Sequence, residues 1–201
     1  MSADNVDSLY VILVEWQLTQ KEADAFFEFF TFDEFDESQE AKKLMIKQPI
    51  WEHLFKEVLA HKDMIEKCSM KGFQCFEVNF FYVNQNNWLI KKVKGEYAFR
   101  TNDIDRLQGL DLVWQYAINN QVLEVRQRSR NFLIDLHLNS DQEKYTERGK
   151  INKEFLNRWL VFFNQQANIT EDQIHNFLLV LFNYVYKFDG LGIHEEPIDF
   201  S

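Results

Sequence analysis

Glycine and proline are nearly absent from this chain, with 6 Gly and 2 Pro among 201 residues. That scarcity constrains the fold more than any other feature. An all-β sandwich turns about every 8–12 residues, and its turns draw on the positive φ of Gly or the fixed φ of Pro. Too few of either are present to write that many turns. Long helices joined by short polar loops need neither, so the expected fold class is all-α.

Hydrophobic spacing lays out the helices. Residues 4–18 predict the first, with Val6, Leu9, Tyr10, Leu13 and Val14 on one face. Thr19 followed by Glu22 has the form of a capping box and predicts a second helix over 20–30. Residues 31–37 predict a loop, and Ser38 a cap for a helix over 39–47. Pro49 suits only a first turn, so a new helix begins there with Ile50, Leu54, Phe55, Val58 and Leu59 facing the core. Residues 63–86 predict one long central helix, apolar nearly all round. Residues 88–102 are less periodic and predict a loop with a short helix. Asp103 then caps a helix whose core face is Leu107, Leu110, Val113, Trp114, Ala117 and Ile118, broken at Asn119-Asn120. The next carries Val122, Val125, Ser129, Phe132, Leu133 and Leu136. After a polar loop over 139–149, residues 150–166 carry Ile151, Phe155, Trp159, Phe162 and Phe163. Thr170 caps the last helix. Its core face reads as Ile174, Phe177, Leu178, Leu181, Phe182, Val185 and Tyr186, with Gly190 as the stop.

These helices come in pairs, 103–138 and 150–189, close to the roughly 40–47-residue period of armadillo and HEAT repeats. The expected architecture is an armadillo/HEAT-like α-solenoid of helix pairs, with an irregular helical bundle as the alternative. One helical domain would span residues 1–201: acidic N-terminal helices to about residue 62, a helical-repeat core over 63–189, and a frayed tail over 190–201. A piece of a longer array would leave apolar surface open at one end.

The net charge of −10 is unevenly spread. Between Glu22 and Glu40 lie eight acids (Glu22, Asp24, Glu28, Asp33, Glu34, Asp36, Glu37, Glu40) and no base. Nucleic-acid binding leaves a clustered basic footprint, so the expected partner is protein and not nucleic acid. No run of 18 apolar residues occurs, so no membrane span is expected. The acidic, polar start Met1-Ser2-Ala3-Asp4-Asn5 does not read as a signal peptide. Cytoplasm is the expected location, with the nucleus as the alternative. Phe is abundant, at 20 residues, beside 5 Trp and 7 Tyr, and predicts a bulky aromatic core.

The search for chemistry returns nothing built for catalysis. Cys68 and Cys75 stand seven apart, roughly 10 Å along a helix, too far for a disulfide. They read as buried free thiols. The five histidines form no metal spacing, and His53 with Glu57 reads as a surface pair. No catalytic residue, metal ligand or cofactor site is expected.

One segment stands apart. Phe26-Phe27-Glu28-Phe29-Phe30-Thr31-Phe32-Asp33-Glu34-Phe35-Asp36-Glu37 interleaves six Phe with acids. Two readings stand. Either the Phe residues enter the core while the acids face water, or they form an exposed patch rimmed by negative charge that attracts a basic partner. The candidate partner surface is Phe32, Asp33, Glu34, Phe35 and Asp36, with Lys91, Lys92 and Lys94. That basic stretch can instead satisfy the acids within the molecule.

Residues 75–139 carry a resemblance. Cys75-Phe76-Glu77, Phe80-Phe81 and Val83-Asn84 precede a linker ending Asn102-Asp103. Gly109-Leu110-Asp111-Leu112-Val113-Trp114 follows, then Phe132-Leu133-Ile134-Asp135-Leu136-His137-Leu138-Asn139. This resembles the helical region upstream of the catalytic domain in large ubiquitin-specific proteases of the fat-facets type. In that family the chemistry lies in a separate domain with a cysteine box and a distant histidine, and neither box occurs here. The resemblance therefore implies a non-catalytic scaffold region, related to or part of a larger chain. The expected function is a helical-repeat protein-interaction module. The alternative is a structural subunit of a large assembly.

Overall fold

A computed structural model describes residues 2–12, 19–31, 48–93, 96–99, 104–138, 148–166 and 168–190. The chain is all-α. Helices α1 (Ala3–Tyr10), α2 (Gln20–Phe30), α3 (Gln48–His53), α4 (Lys62–Lys67) and α5 (Met70–Asn86) form the first half. Helices α6 (Leu110–Asn119), α7 (Leu123–Leu138), α8 (Arg148–Asn164) and α9 (Glu171–Gly190) form the second. Several expectations lie outside the described residues: the far end of the first helix, all but Thr31 of the loop over 31–37, the helix over 39–47 with its Ser38 cap, the Asp103 cap, most of the loop over 139–149, and the tail beyond 190.

Capping decides the helix starts. The Thr19 hydroxyl accepts the Glu22 amide at 3.3 Å and donates to the Glu22 carboxylate at 3.1 Å. At α9, Thr170 Oγ1 accepts the Gln173 amide while the Gln173 side chain accepts the Thr170 amide. Thr170 and Gln173 thus form a reciprocal box that satisfies two backbone donors, whereas at Thr19 the cap satisfies the Glu22 amide alone and the carboxylate takes the hydroxyl. Where helical periodicity and capping compete, the cap wins. The single helix expected over 63–86 is in fact two, α4 and α5, separated at Cys68–Ser69. Ser69 Oγ accepts the Gly72 amide and donates to Asp24 at 2.6 Å, which ties the break to α2. The helix expected from 103 also starts later. A 3-10 turn, Ile104–Arg106, precedes Gly109, whose φ of +83° opens α6.

Residues 88–102 hold no helix among the described positions. An antiparallel hairpin stands there instead, β1 (Ile90–Val93) with β2 (Glu96–Phe99), pairing Ile90 with Phe99 and Val93 with Glu96. Ile, Val, Tyr and Phe favour a pleated pairing, and Trp88 at φ +60° turns the chain out of α5 into it. After α3 the helix widens into a π turn, Leu54–Val58, where the Leu59 amide donates to the Leu54 carbonyl at 2.9 Å.

The buried side chains form one continuous cluster from Val6 to Tyr184. Helix α2 packs on α5, α4 on α6, and α5 on α7, while α6 and α7 form a tight pair. Helix α9 lies across both α6 and α7, and α8 completes the second pair. Phe76 links Phe55, Phe73, Phe80 and Tyr116 in a run of ring contacts with centroids 4.8–6.1 Å apart. The two pairs meet where Trp114 stacks on Phe162 at 5.5 Å and on Phe155 at 5.8 Å.

Buried asparagines stitch the elements together. Asn84 holds both the carbonyl and the amide of Gln108, which pins the 3-10 turn to the end of α5. Asn176 donates to the Ile118 carbonyl at 2.9 Å and joins α9 to α6. Arg130 is the exception. It is 4% exposed, yet its Nε and Nη1 are buried without hydrogen-bond partners. Desolvation, and then the charge of Arg126, lower its pKa. A buried unpaired cation costs stability that a well-packed apolar side chain does not. Arg130→Met is expected to raise stability by about 1–2 kcal/mol in thermal denaturation. Destabilisation by a similar amount would show that the guanidinium is compensated.

Candidate functional site

Most of the candidate partner surface, Phe32, Asp33, Glu34, Phe35, Asp36 and Lys94, lies outside the described residues. Lys91 and Lys92 are placed on β1, opposite Ala98 and Tyr97. The structure therefore does not bring that surface together among the residues it describes. For residues 26–30 it supports the core reading. Phe26, Phe27 and Phe30 are buried, and Glu28 faces out to bond Lys71 at 3.0 Å. Phe29 alone stays 44% exposed.

The two cysteines are held in inert settings. Cys68 and Cys75 are both buried and free. Burial pushes the Cys68 thiol up to about 12, despite the Asn120 amide at 3.5 Å. A thiol that weakly acidic is no nucleophile at neutral pH. His53 does not pair with Glu57 as expected; its Nε2 meets Asp7 Oδ1 at 2.6 Å, joining α3 to α1. Glu77 and Arg128 form an ion pair at 2.7 Å between α5 and α7. Burial raises the Glu77 pKa, and the guanidinium opposes that rise. Among the described residues, no group of three His, Cys, Asp or Glu is placed to hold a metal.

His137 sits inside the junction of the two pairs. Its ring meets Phe155 edge-on at 5.0 Å and Trp114 at 6.2 Å, and Nδ1–H donates to the Leu133 carbonyl at 2.8 Å. Burial lowers its pKa to about 4. The folded state thus resists a proton that the unfolded chain accepts near the ordinary value of about 6.5. Stability is full above that value and falls as pH drops from there towards 4, by up to about 3 kcal/mol. Urea melts across this window check it: His137→Phe is expected to flatten the slope.

A cleft of about 380 Å³ opens beside this junction, lined by Asp105, Asp111, Trp114, Glu154, Arg158 and Phe162 among others. Arg158 closes onto Asp105 at 2.6 Å. The pair ties α8 to the 3-10 turn, so much of the cleft's charge is already engaged in structure.

The most conspicuous surface is the outer side of the second pair. On α9, Ile174, Leu178, Val185, Phe182 and Tyr186 are all exposed, the last two by 67% and 76%. On α8, Leu156 and Leu160 are exposed one turn apart. Helical spacing sets these beside Trp159 and Phe163, which seat Phe177 of α9, so the two stripes flank one groove. From Gln173 to Tyr186 the chain carries no Asp, Glu, Lys or Arg.

The sequence reading placed those five α9 residues in the core, and the structure corrects this. Phe177, Val180 and Tyr184 point inward, and Leu181 is half-buried. Apolar residues cover more than half of the helix circumference, and a helix with neighbours on one side buries only that side. That excess width was the available signal. In comparisons with known proteins, no family model and no curated sequence matched the chain.

Proposed function

We propose that this chain is a non-catalytic helical interaction module that docks a protein partner on the open apolar side of α8 and α9. One observation carries this reading: five large apolar side chains exposed on α9, beside two more on α8. Contiguous patches of this kind on a folded chain are characteristic of docking surfaces. The inert thiols and the buried histidine favour binding over chemistry.

The packing of pair α6–α7 against pair α8–α9 supports an armadillo-like stack. The residues behind the fat-facets-type resemblance include Cys75, Phe76, Phe80, Asn84, Leu110, Trp114, Leu133 and Leu136, and all are buried. They support a shared way of packing helices, consistent with the non-catalytic region of a large deubiquitinase. Two buried free thiols suit a reducing compartment, the cytoplasm or nucleus. No helix among the described residues is long and apolar enough to cross a membrane. The same open side favours a second reading, a subunit whose face is buried in a larger assembly; aggregation of the isolated chain would support it.

The test is affinity capture with the wild-type chain and with Leu178→Asp/Phe182→Asp, whose helix content is checked by circular dichroism. Loss of a specific protein binder in the folded variant is expected. Equal capture by both chains overturns the assignment of the face. Turnover of a ubiquitin–fluorophore substrate by the isolated chain overturns the non-catalytic reading.

A further inference from the structure

We propose that Arg126 and Arg130 of α7 form a binding site for a small tetrahedral dianion of the hydrogen phosphate type. The site is separate from the apolar side of α8 and α9 and stands whether or not that side docks a protein.

Arg130 follows Arg126 by one helical turn, so both guanidinium groups leave the same face of α7. Arg126 donates from Nη1 to the Asn120 carbonyl at 2.6 Å, which fixes the group at the corner where α7 begins. Its Nε is buried without a hydrogen-bond partner. Arg130 is 4% exposed, and both its Nε and its Nη1 are buried without partners. Three donor nitrogens on two cations are thus sealed from water with no acceptor among the described residues.

No carboxylate of α7 answers them. Its two acids, Glu124 and Asp135, stand six and five positions from Arg130, roughly 120–140° round the helix. Asp135 is tied to Lys187 at 3.0 Å. Arg128, on the far side of α7, is the arginine that takes Glu77. Like charges four residues apart on a helix repel, and buried polar groups are otherwise nearly always paired. An anion held by both groups reverses the repulsion and supplies the missing acceptors. Two single positive charges match a dianion, and the planar guanidinium fork fits two oxygens of a tetrahedral oxyanion. Of the three Arg130 side-chain nitrogens, only Nη2 is not sealed, so the ligand enters at that edge. Burial this deep admits a bare oxyanion and not a bulky ester.

Thermal melts and titration calorimetry of the full chain in phosphate-free buffer test this, with inorganic phosphate as the probe. Without phosphate, Arg130→Met melts above wild type. Millimolar phosphate is expected to raise the wild-type Tm by about 3–6 °C at ten times its Kd and to leave Arg130→Met unmoved, so the gap between the two closes. Arg130→Lys keeps the charge but loses the fork, and is expected to bind phosphate about tenfold more weakly. Lys62→Met, which removes an exposed cation of α4, is expected to bind as wild type does. A wild-type Tm indifferent to phosphate overturns the proposal. So does an equal rise in wild type and Arg130→Met, or the same rise with chloride at matched ionic strength, since either is a general salt effect. An Arg130→Met variant that melts below wild type without phosphate also overturns it, because the guanidinium is then satisfied within the fold.

Discussion

Trp114→Ala is expected to destabilise the fold by about 3–5 kcal/mol, the usual range for deleting a large buried aromatic side chain. Trp114 is 2% exposed and touches two other helices. It stacks on Phe155 and Phe162 of α8 and meets His137 of α7 edge-on. Removing the indole takes away the surface on which the second helix pair sits. In thermal melts the loss corresponds to roughly 10–15 °C for a chain of this size. Phe182→Ala is the contrasting control. Its ring is mostly in solvent, so a change below about 1 kcal/mol is expected there. A Trp114→Ala variant that melts within a few degrees of wild type would mean that the two pairs are not held together through this ring.

Gly109→Ala is expected to cost about 3 kcal/mol, from two separable sources. The residue sits at φ +83°, where an L side chain is strained by about 1–2 kcal/mol. A methyl group built there would also run into the ring of Phe55, and overpacking a closed core costs about 1–3 kcal/mol. Phe55 comes from the π turn, so the widened turn and the glycine are fitted to each other. A double-mutant cycle with Phe55→Leu separates the sources: the clash is relieved and the backbone strain stays. If Gly109→Ala costs no more in the wild-type background than beside Phe55→Leu, the ring contact is not limiting.

The helical class was legible because it follows from what is missing, turn residues, and from periodicity that survives in every long segment. Helix starts were legible where a cap was written in sequence, as at Thr19-Glu22 and Thr170. They were not where the decisive partner is remote. Ser69 breaks a run of apolar spacing by bonding Asp24, 45 residues away, and no local pattern reports that. The helix start at Gly109 was not legible either: spacing ran the helix back to Asp103, and the Phe55 ring that requires a glycine at 109 is remote in sequence. The hairpin at 90–99 was missed because each of its strands is only four residues long, too short for alternation to show. The apolar side of α9 was visible in the sequence but assigned inward, since spacing says which residues share a face and not how many neighbours the helix has.

The Asn120 side chain has a consequence for the order in which the molecule assembles. Its amide donates to the Ile65 carbonyl at 2.8 Å, and its oxygen accepts the Val122 amide at 2.8 Å. The adjacent Gln121 amide donates to the Glu66 carbonyl at 2.7 Å. The turn between α6 and α7 is thus completed by the end of α4, about 55 residues earlier in the chain. A hairpin of these two helices formed on its own would leave its corner unsealed, so that corner closes only once both halves of the chain are in place. Hydrogen exchange at the Gln121 amide is then expected to slow when the end of α4 is docked, beyond what an ordinary exposed turn shows.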